Sequence, residues 1–168
     1  MTQDIKTKRL NLRPILASDA TDIAQAANDL DVSRWLTHVP HPYVLVDAKE
    51  FISKNEGLFP QVAVIEHEGT FAGIVGVRRE LGYWLSKPMW GKGIAFEASE
   101  AMLCHHFGTR DASEIASGYF LGNVRSRKIL ELLRFSNVSS EQVIPRSTGL
   151  ETTVQKMRLT RRRWEATQ

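Results

Sequence analysis

Residues 80–98, ELGYWLSKPMWGKGIAFEA, predict a strand, a glycine turn and a helix in direct succession. Every second residue from Leu81 to Leu85 is apolar or aromatic, which is the period of a half-buried strand. Pro88 ends this strand because proline has no N–H group to donate to a ladder. After Gly93 the apolar residues recur at helical spacing. We therefore expect a junction that points free backbone N–H groups at whatever lies in front of it.

A helix that begins at glycines is a candidate phosphate site, because its first N–H groups lack an intrahelical partner and glycine permits close approach. The Gly-x-Gly pattern at 91–93 is weak by itself, since it often forms only a tight turn. Gly93 is followed by Ile94 and not by lysine with serine or threonine, so an ATP-type loop is excluded. A Rossmann site is excluded because the third glycine of its fingerprint would fall at Phe96.

The composition is that of an ordinary globular chain. With 168 residues, 42% hydrophobic and 24% charged, the chain is expected to form one domain over residues 1–168. A net charge of +3 is too small to predict a nucleic-acid partner, and residues 161–163, all arginine, are interpreted as a solvated tail. No apolar segment has the length of a signal peptide or a membrane span, so we expect a cytoplasmic protein without a membrane partner. The single cysteine, Cys104, suits a reducing compartment.

The remaining patterns predict a mixed α/β chain. The first strand, at residues 7–14, is expected near a sheet edge, and the first helix is expected to take Ser18 as its N-cap. A second helix begins at Asp47 and ends near Gly57, and residues 66–70 form a hairpin turn. Further strands are expected at 61–65, 71–77, 114–120, 136–144 and 153–159, and further helices at 93–107 and 124–133. The strands on either side of the helix at 93–107 are expected to be parallel.

The helix at 124–133 carries two polar residues near its start. Ser126 shares one helical face with Ile129 and Leu133, so the serine stands at the head of an apolar stripe, and Asn123 lies three residues earlier. One interpretation is structural: Asn123 caps the helix and Ser126 satisfies a backbone group. The other is functional: an amide and a hydroxyl line a cleft that the neighbouring basic residues surround with positive charge.

Taken in order, these motifs resemble the GNAT superfamily of acyl-CoA N-acetyltransferases, specifically the branch that includes the ribosomal-protein N-terminal alanine acetyltransferases. The resemblance rests on TKRLNLRP at 7–14, SDA at 18–20, RWL at 34–36 leading to Pro42 and Tyr43, ELGYWL at 80–85, WGKGIAFEA at 90–98, and Asn123-x-x-Ser126 before LELL at 130–133. Each segment alone is unspecific. Their order along most of the chain is what identifies the family.

The resemblance implies an α/β fold with a central, mostly antiparallel sheet of about seven strands, splayed between its fourth and fifth strands and flanked by about four helices. Acetyl-CoA is the implied co-substrate, with no metal. Its pantetheine arm adds to the end of the fourth strand by backbone hydrogen bonds, and its pyrophosphate rests on the N–H groups of the glycine turn. The residues expected to bind the cofactor are Trp84, Leu85, Trp90, Gly91, Lys92, Gly93, Ile94, Ala95, Asn123 and Ser126.

The family also implies direct attack of an amine on the thioester, without an acyl-enzyme. A base or a water chain must take a proton from the amine, and an acid helps the thiolate to leave. Glu80 is the candidate base, although a pair with Arg78 or Arg79 is its structural alternative. Ser126 is the candidate acid, with Asn123 positioning cofactor or water. The residues expected to contact the acceptor are Trp35, His38, Tyr43 and Tyr83.

Three other features limit this interpretation. Cys104 is expected to be a small core residue on the apolar stripe of its helix and not a nucleophile. His105 and His106 are adjacent and diverge around the helix, so they predict no metal site. Arg134 stands where the family usually has the glycine of Leu-Gly-Phe. A left-handed cap with a side chain costs roughly 1 kcal/mol, so we expect this helix to end differently.

The sequence therefore predicts an acetyl-CoA-dependent N-acetyltransferase whose leading acceptor is a peptide or protein N-terminus. A small amine such as a polyamine or an aminoglycoside is the alternative acceptor, and an oligomer is compatible with the sequence. The alternative function is a CoA-binding module that has lost turnover and acts as a sensor or a partner-binding protein. A basic-tailed nucleic-acid protein is a third hypothesis, for which the sequence offers no groove-reading motif.

Overall fold

The computed structural model describes residues 3–168, in which eight strands and six α-helices follow one another. The strands are β1 (Ile5–Lys6), β2 (Leu10–Arg13), β3 (Val62–His67), β4 (Thr70–Val77), β5 (Leu81–Leu85), β6 (Glu114–Phe120), β7 (Ser136–Val143) and β8 (Thr152–Thr160). The helices are α1 (Ala20–Ala27), α2 (Leu30–Ser33), α3 (Leu45–Asn55), α4 (Ile94–Thr109), α5 (Val124–Leu132) and α6 (Arg161–Glu165). Two 3-10 turns, Ala17–Asp19 and Lys87–Met89, precede α1 and follow β5. The predicted order is confirmed, and β1, α2 and α6 are short additions to it.

The strands form two sheets that meet at one place. Strands β1 to β5 form a sheet in chain order, and β6, β8 and β7 form the second; all hydrogen-bonded neighbours within the two sheets are antiparallel. Between β5 and β6 a parallel bridge joins Glu80 to Ala116, and the Ser117 hydroxyl donates to the Leu81 carbonyl at 2.8 Å. The predicted mixed fold, splayed between the fourth and fifth predicted strands, is confirmed. These strands become the fifth and sixth because β1 precedes them.

Two hydrophobic cores lie on opposite faces of the first sheet. The larger lies between the sheets, α4 and α5, and the smaller lies between the first sheet, α1 and α3. Alternation along β5 sends Leu81, Tyr83 and Leu85 to the larger core and Trp84 to the smaller one. One five-residue strand therefore supplies side chains to both sides of the molecule.

The first helix does not begin as predicted. Ser18 is not its N-cap, because it lies inside the 3-10 turn that precedes α1. Asp19 instead accepts a hydrogen bond from the Leu16 N–H group at 2.8 Å and pairs with Arg13 at 2.9 Å. The first predicted strand is also shorter than expected, since its pairing in β2 begins only at Leu10 and β1 takes the edge.

The end of α5 is a second correction. Arg134 adopts the left-handed conformation, with φ of 71°. The N–H groups of Phe135 and Arg134 donate to the carbonyls of Leu130 and Glu131, both at 3.0 Å, which is the Schellman arrangement. Leu130 and Phe135 are both buried in the larger core. The expectation that this helix ends differently is wrong, because the packing of Phe135 holds the cap despite the side chain of Arg134.

Cys104 is not the core residue that we expected. It is exposed on α4, because the buried face of the helix passes through Met102, Leu103 and His106 instead. The helical phase predicted for this part of α4 is therefore wrong. Among residues 3–168, neither α4 nor any other helix is long and apolar enough to cross a membrane.

The solvated tail predicted for the three arginines is wrong for Arg161, whereas Arg162 and Arg163 are exposed. Arg161 donates to the carbonyls of Phe107 and Ala112, both at 2.9 Å. Trp164 in α6 is buried and stacks on Phe107 with ring centroids 5.9 Å apart. This segment closes the larger core behind α4 and β6.

Candidate active site

The cleft begins where the two sheets part. β5 and β6 touch at Glu80 and Ala116, and both strands then run toward their ends at Leu85 and Phe120 without a further bridge among residues 3–168. Parallel strands that separate in this way leave backbone N–H and C=O groups unpaired along their facing edges. These edges are a place where an extended ligand can add by backbone hydrogen bonds, as the family resemblance implies for pantetheine.

The predicted glycine turn lies directly beyond the end of β5. Gly91 and Gly93 have φ of 73° and 75°, a conformation that glycine adopts without a steric penalty. Gly93 is the N-cap of α4, and no side chain among the described residues caps this helix. The first N–H groups of α4, together with the positive end of its dipole, therefore remain available to an anion. Lys92 lies between the two glycines and is exposed.

The glycine turn is held in place by the segment that joins β1 to β2. The Arg9 guanidinium donates to the Lys92 carbonyl at 2.9 Å and pairs with Glu97 at 2.7 Å. The Thr7 hydroxyl donates to the same Glu97 carboxylate at 2.6 Å. Burial acts to raise the pKa of Glu97, but the hydrogen bonds from Thr7 and Arg9 outweigh it and lower the pKa. Sequence reasoning missed this support, because Arg9 is 83 residues from Lys92.

Trp90 connects the two sides of the cleft. Its indole N–H group donates to the Leu85 carbonyl at 3.1 Å, and the Arg125 guanidinium lies 4.0 Å from the centroid of its ring. Arg125 belongs to the first turn of α5, which packs beside β6, whereas Leu85 ends β5. A cation over an indole face is an attractive arrangement. The contact thus joins the two walls of the opening next to the glycine turn.

Ser126 and Asn123 occupy the start of α5, as predicted. The Asn123 side chain accepts a hydrogen bond from the Ser126 N–H group at 3.2 Å, so the predicted capping role of Asn123 is confirmed. The Ser126 hydroxyl does not turn to the backbone but lies 3.0 Å from the Tyr83 hydroxyl of β5. Burial raises the pKa of Tyr83 to about 12, against the opposing effect of this hydrogen bond. Tyr83 therefore keeps its proton at neutral pH.

Glu80 has a partner that the sequence did not indicate. Its carboxylate accepts a hydrogen bond from the Lys156 ammonium at 3.1 Å, and no pair with Arg78 or Arg79 forms within residues 3–168. Lys156 reaches it from β8 across β6, where Gly118 is the register partner of Lys156. A Cβ at Gly118 would lie 3.6 Å from the Lys156 Cδ atom, which is an ordinary van der Waals contact.

The four predicted acceptor residues do not lie together, and one of them, Tyr83, is the Ser126 partner described above. Trp35 packs edge-on against Phe120 at the end of β6, with centroids 6.5 Å apart, and so borders the opening between the sheets. His38 lies in the following loop, where its carbonyl accepts a hydrogen bond from Arg146 at 3.4 Å. Tyr43 is only 7% exposed and packs in the smaller core, and burial raises its pKa to about 12. The structure thus brings Trp35 to the cleft and uses Tyr43 as a packing residue.

The histidines and cysteine do not assemble with acidic residues. No three His, Cys, Asp or Glu side chains come together as a metal site within the described part of the chain. His106 is buried on α4, and burial lowers its pKa, with further effects from Arg110, Arg161 and His105. The chemical groups that the cleft offers are therefore a carboxylate, an ammonium, two hydroxyls and a helix N-terminus.

Comparisons with known proteins agree with this geometry. The sequence model of a family described as "Acetyltransferase (GNAT) domain" matches residues 9–136. A curated relative, "Uncharacterized N-acetyltransferase p20" of Bacillus licheniformis, is 27% identical over 147 residues, covering 79% of this chain and 82% of that protein. The structure of a GNAT-family acetyltransferase from Bacillus anthracis superposes with a TM-score of 0.80 at 19% identity, covering 94% of this chain and 98% of that one. The structure of RimL, a ribosomal L7/L12 alpha-N-protein acetyltransferase in complex with coenzyme A, gives a TM-score of 0.77 at 17% identity and covers 94% and 98% of the two chains.

Proposed function

The chain belongs to the acetyltransferase (GNAT) domain family and is an acetyl-CoA-dependent N-acetyltransferase, and from this premise we propose that its acceptor is the amino group of a peptide or protein N-terminus. The likeness to RimL, whose name describes action on the α-amino group of a ribosomal protein, supports this acceptor. The observation that carries the proposed chemistry is the Tyr83–Ser126 contact of 3.0 Å, which bridges β5 and α5 across the parted strands.

The cofactor site fits a phosphorylated ligand. Bound acetyl-CoA supplies an acetyl thioester and a thiolate leaving group. Residues 91–95 present backbone N–H groups at the uncapped start of α4, and Lys92 and Arg125 add positive charge beside them. Trp84 and Leu85 end the strand edge that we expect to pair with the pantetheine amides. Asn123 fixes the backbone of Ser126, so this serine is held at the mouth of the cleft.

The acceptor amine must lose a proton before it can attack, because an amine is mostly protonated at neutral pH. Glu80 is the proposed base, acting directly or through water. Its carboxylate already holds the Lys156 ammonium, so an incoming ammonium group must share the carboxylate with Lys156 or displace it. The Glu80 side chain is partly exposed, which supports access of the acceptor to it.

The leaving thiolate needs a proton, and Ser126 is the proposed donor. A serine hydroxyl is a weak acid, but Tyr83 holds its own proton up to a pKa of about 12 and can donate a hydrogen bond to the Ser126 oxygen. The proton that Ser126 gives up to the thiolate is replaced from Tyr83 along this hydrogen bond, and the Tyr83 oxygen takes a proton back from solvent. No acyl-enzyme is required, and the exposed Cys104 on the outer face of α4 takes no part.

Free-thiol release from acetyl-CoA tests the proposal. The acceptor panel contains peptides that begin with serine or alanine, the same peptides with a blocked N-terminus, a polyamine and an aminoglycoside. We expect release with the free peptides and none with the blocked ones. Release with the small amines alone would reject the peptide acceptor. Thermal stabilisation by acetyl-CoA without release from any amine would instead indicate a CoA-binding module without turnover.

A further inference from the structure

Three glycines form a row across the strands where the sheets part. Gly76 of β4 is the register partner of Gly82 of β5. The parallel bridge of Glu80 to Ala116 places Gly118 of β6 at the position equivalent to Gly82, two residues further along each strand. Because side chains repeat with a period of two, Glu80, Gly82 and Trp84 share one face of β5 and Tyr83 points to the other. The row therefore lies on the face opposite the Tyr83–Ser126 pair.

Gly82 has no structural reason to be glycine. It lies in the middle of β5, outside the left-handed residues, and a Cβ built there would meet nothing within 4 Å. Glycine weakens a strand, and where no turn or bulge needs it, it often marks a close approach of a ligand or another backbone. Gly118 differs, since a Cβ there would lie 3.0 Å from the Gln155 carbonyl oxygen and 3.1 Å from the Val154 Cγ1 atom. The open space above β5 is thus specific to Gly82.

The space above Gly82 has one charged wall and one aromatic wall. On the side of the bridge lie the Glu80 carboxylate and the Lys156 ammonium, 3.1 Å apart. On the side of the opening lies Trp84, whose ring packs against Phe71 at 6.0 Å between centroids. A ligand on this floor therefore has a carboxylate within reach of its amino group and an indole beside its next atoms.

We propose that Gly82 is the floor of the acceptor site and determines acceptor specificity, admitting a primary amine whose neighbouring carbon carries no bulky branch. This inference rests on the proposed function, since it places the acceptor amine beside Glu80. A slender segment, such as the first residue of a peptide with a small side chain, can lie against the bare backbone of β5. A side chain at position 82 would fill the same volume.

The test is a Gly82→Ala and Gly82→Val series with a serine-initiated peptide as acceptor. Because the added groups meet open space and valine favours strands, both variants should melt at or above the wild-type temperature. We expect KM for the peptide to rise about threefold in Gly82→Ala and about thirtyfold in Gly82→Val, as the added volume overlaps the ligand. The dissociation constant of acetyl-CoA, measured by calorimetry, should stay within about twofold, since the glycine turn is untouched. The control is Gly108→Ala, because Gly108 is exposed on α4 and also has nothing within 4 Å.

The outcomes separate this inference from the proposed function. The proposed role of Gly82 would be overturned by an unchanged peptide KM in Gly82→Val, or by a weaker acetyl-CoA affinity with a normal peptide KM. In either case, thiol release by the wild type would still uphold the proposed function. Peptide binding to the CoA complex, followed by tryptophan fluorescence, gives a readout without turnover. Peptide binding to the wild type but not to Gly82→Val would support the proposed role of Gly82 even if no thiol is released. A wild-type protein that neither binds the peptide nor releases thiol would reject both.

Discussion

Tyr83→Phe removes one hydroxyl of the candidate active site and leaves the rest of the side chain in place. The substitution keeps the ring, which packs against the larger core, and removes only the hydroxyl, which lies 3.0 Å from the Ser126 Oγ atom and 3.4 Å from the Ser126 carbonyl oxygen. Loss of one neutral hydrogen bond costs about 1 kcal/mol, which for a domain of this size lowers Tm by about 2–4 °C. The variant should therefore remain folded under assay conditions.

The effect on turnover should exceed the effect on binding. If the Tyr83 hydroxyl directs the Ser126 proton to the leaving thiolate, its loss should lower kcat about tenfold, which corresponds to about 1.4 kcal/mol of the barrier. KM for acetyl-CoA should change by no more than about twofold, because the interaction matters only as the thiolate forms. The assay is thiol release, with kcat and KM measured separately for Tyr83→Phe, Ser126→Ala and the double variant. Since Tyr83 acts through Ser126, the double variant should be no slower than Ser126→Ala.

Tyr119→Phe is the matched control. Tyr119 is a buried tyrosine of β6 in the same core, and its hydroxyl makes no hydrogen bond with the rest of residues 3–168. Its kcat should equal that of the wild type. The reasoning would be refuted by a Tyr83→Phe enzyme as fast as the Tyr119→Phe enzyme, or by effects of the two site variants that multiply in the double variant.

Three further predictions concern the scaffold. A Cβ at Gly73 would lie 2.1 Å from the Trp84 carbonyl oxygen, so Gly73→Ala should lower the free energy of unfolding in urea by about 3 kcal/mol and weaken acetyl-CoA binding in calorimetry; wild-type stability would contradict this. Arg134→Gly should raise the free energy of unfolding by about 0.5 kcal/mol, because glycine relieves the strain of the left-handed cap while it increases the conformational entropy of the unfolded chain. Arg134→Ala should bring no gain, and equal values for the two variants would argue against strain at the cap. Burial raises the pKa values of Tyr43 and Tyr83 from 10.0 to about 12, so the folded protein holds these protons more tightly than the unfolded chain. The stability that these two tyrosines contribute is then fully present below pH 10 and is lost as the pH rises from 10 toward 12. Tyr83→Phe should reduce this loss, measured as the difference between the free energies of unfolding in urea at pH 9 and pH 11. Identical losses in the wild type and the variant would show that Tyr83 is not responsible.

The predictable parts of the site are those that depend on neighbours in the sequence. The alternation of β5 and the glycines before α4 define a strand and an uncapped helix start within residues 80–98. Asn123 and Ser126 are three residues apart, so the cap they form is also local. In each case the interacting groups lie within one turn or one strand, and residue type alone limits what they can do.

The parts that could not be predicted depend on register between distant strands. Lys156 is 76 residues from Glu80, and the pair forms across β6, which lies between β5 and β8. A sequence pattern shows which residues share a face but not which residue of another strand stands opposite. The error at Cys104 has a related cause: small residues occur on both faces of α4, so they do not define its phase.

The alternation of β5 also explains how one strand can serve both proton transfers. Glu80 and Tyr83 are three residues apart, so their side chains leave opposite faces of the strand. The proposed base therefore lies on the face of the smaller core and the proposed donor chain on the face of α5, with the strand between them. A proton taken from the acceptor cannot pass directly to Tyr83, and each face can be tuned by its own neighbours, Lys156 on one and Ser126 on the other. A one-residue slip of β5 against β4 would exchange the two faces of β5. Gly73 opposes such a slip because it packs so closely against Trp84 and Leu85 that no side chain fits there. This contact therefore fixes both the register and the faces on which Glu80 and Tyr83 lie.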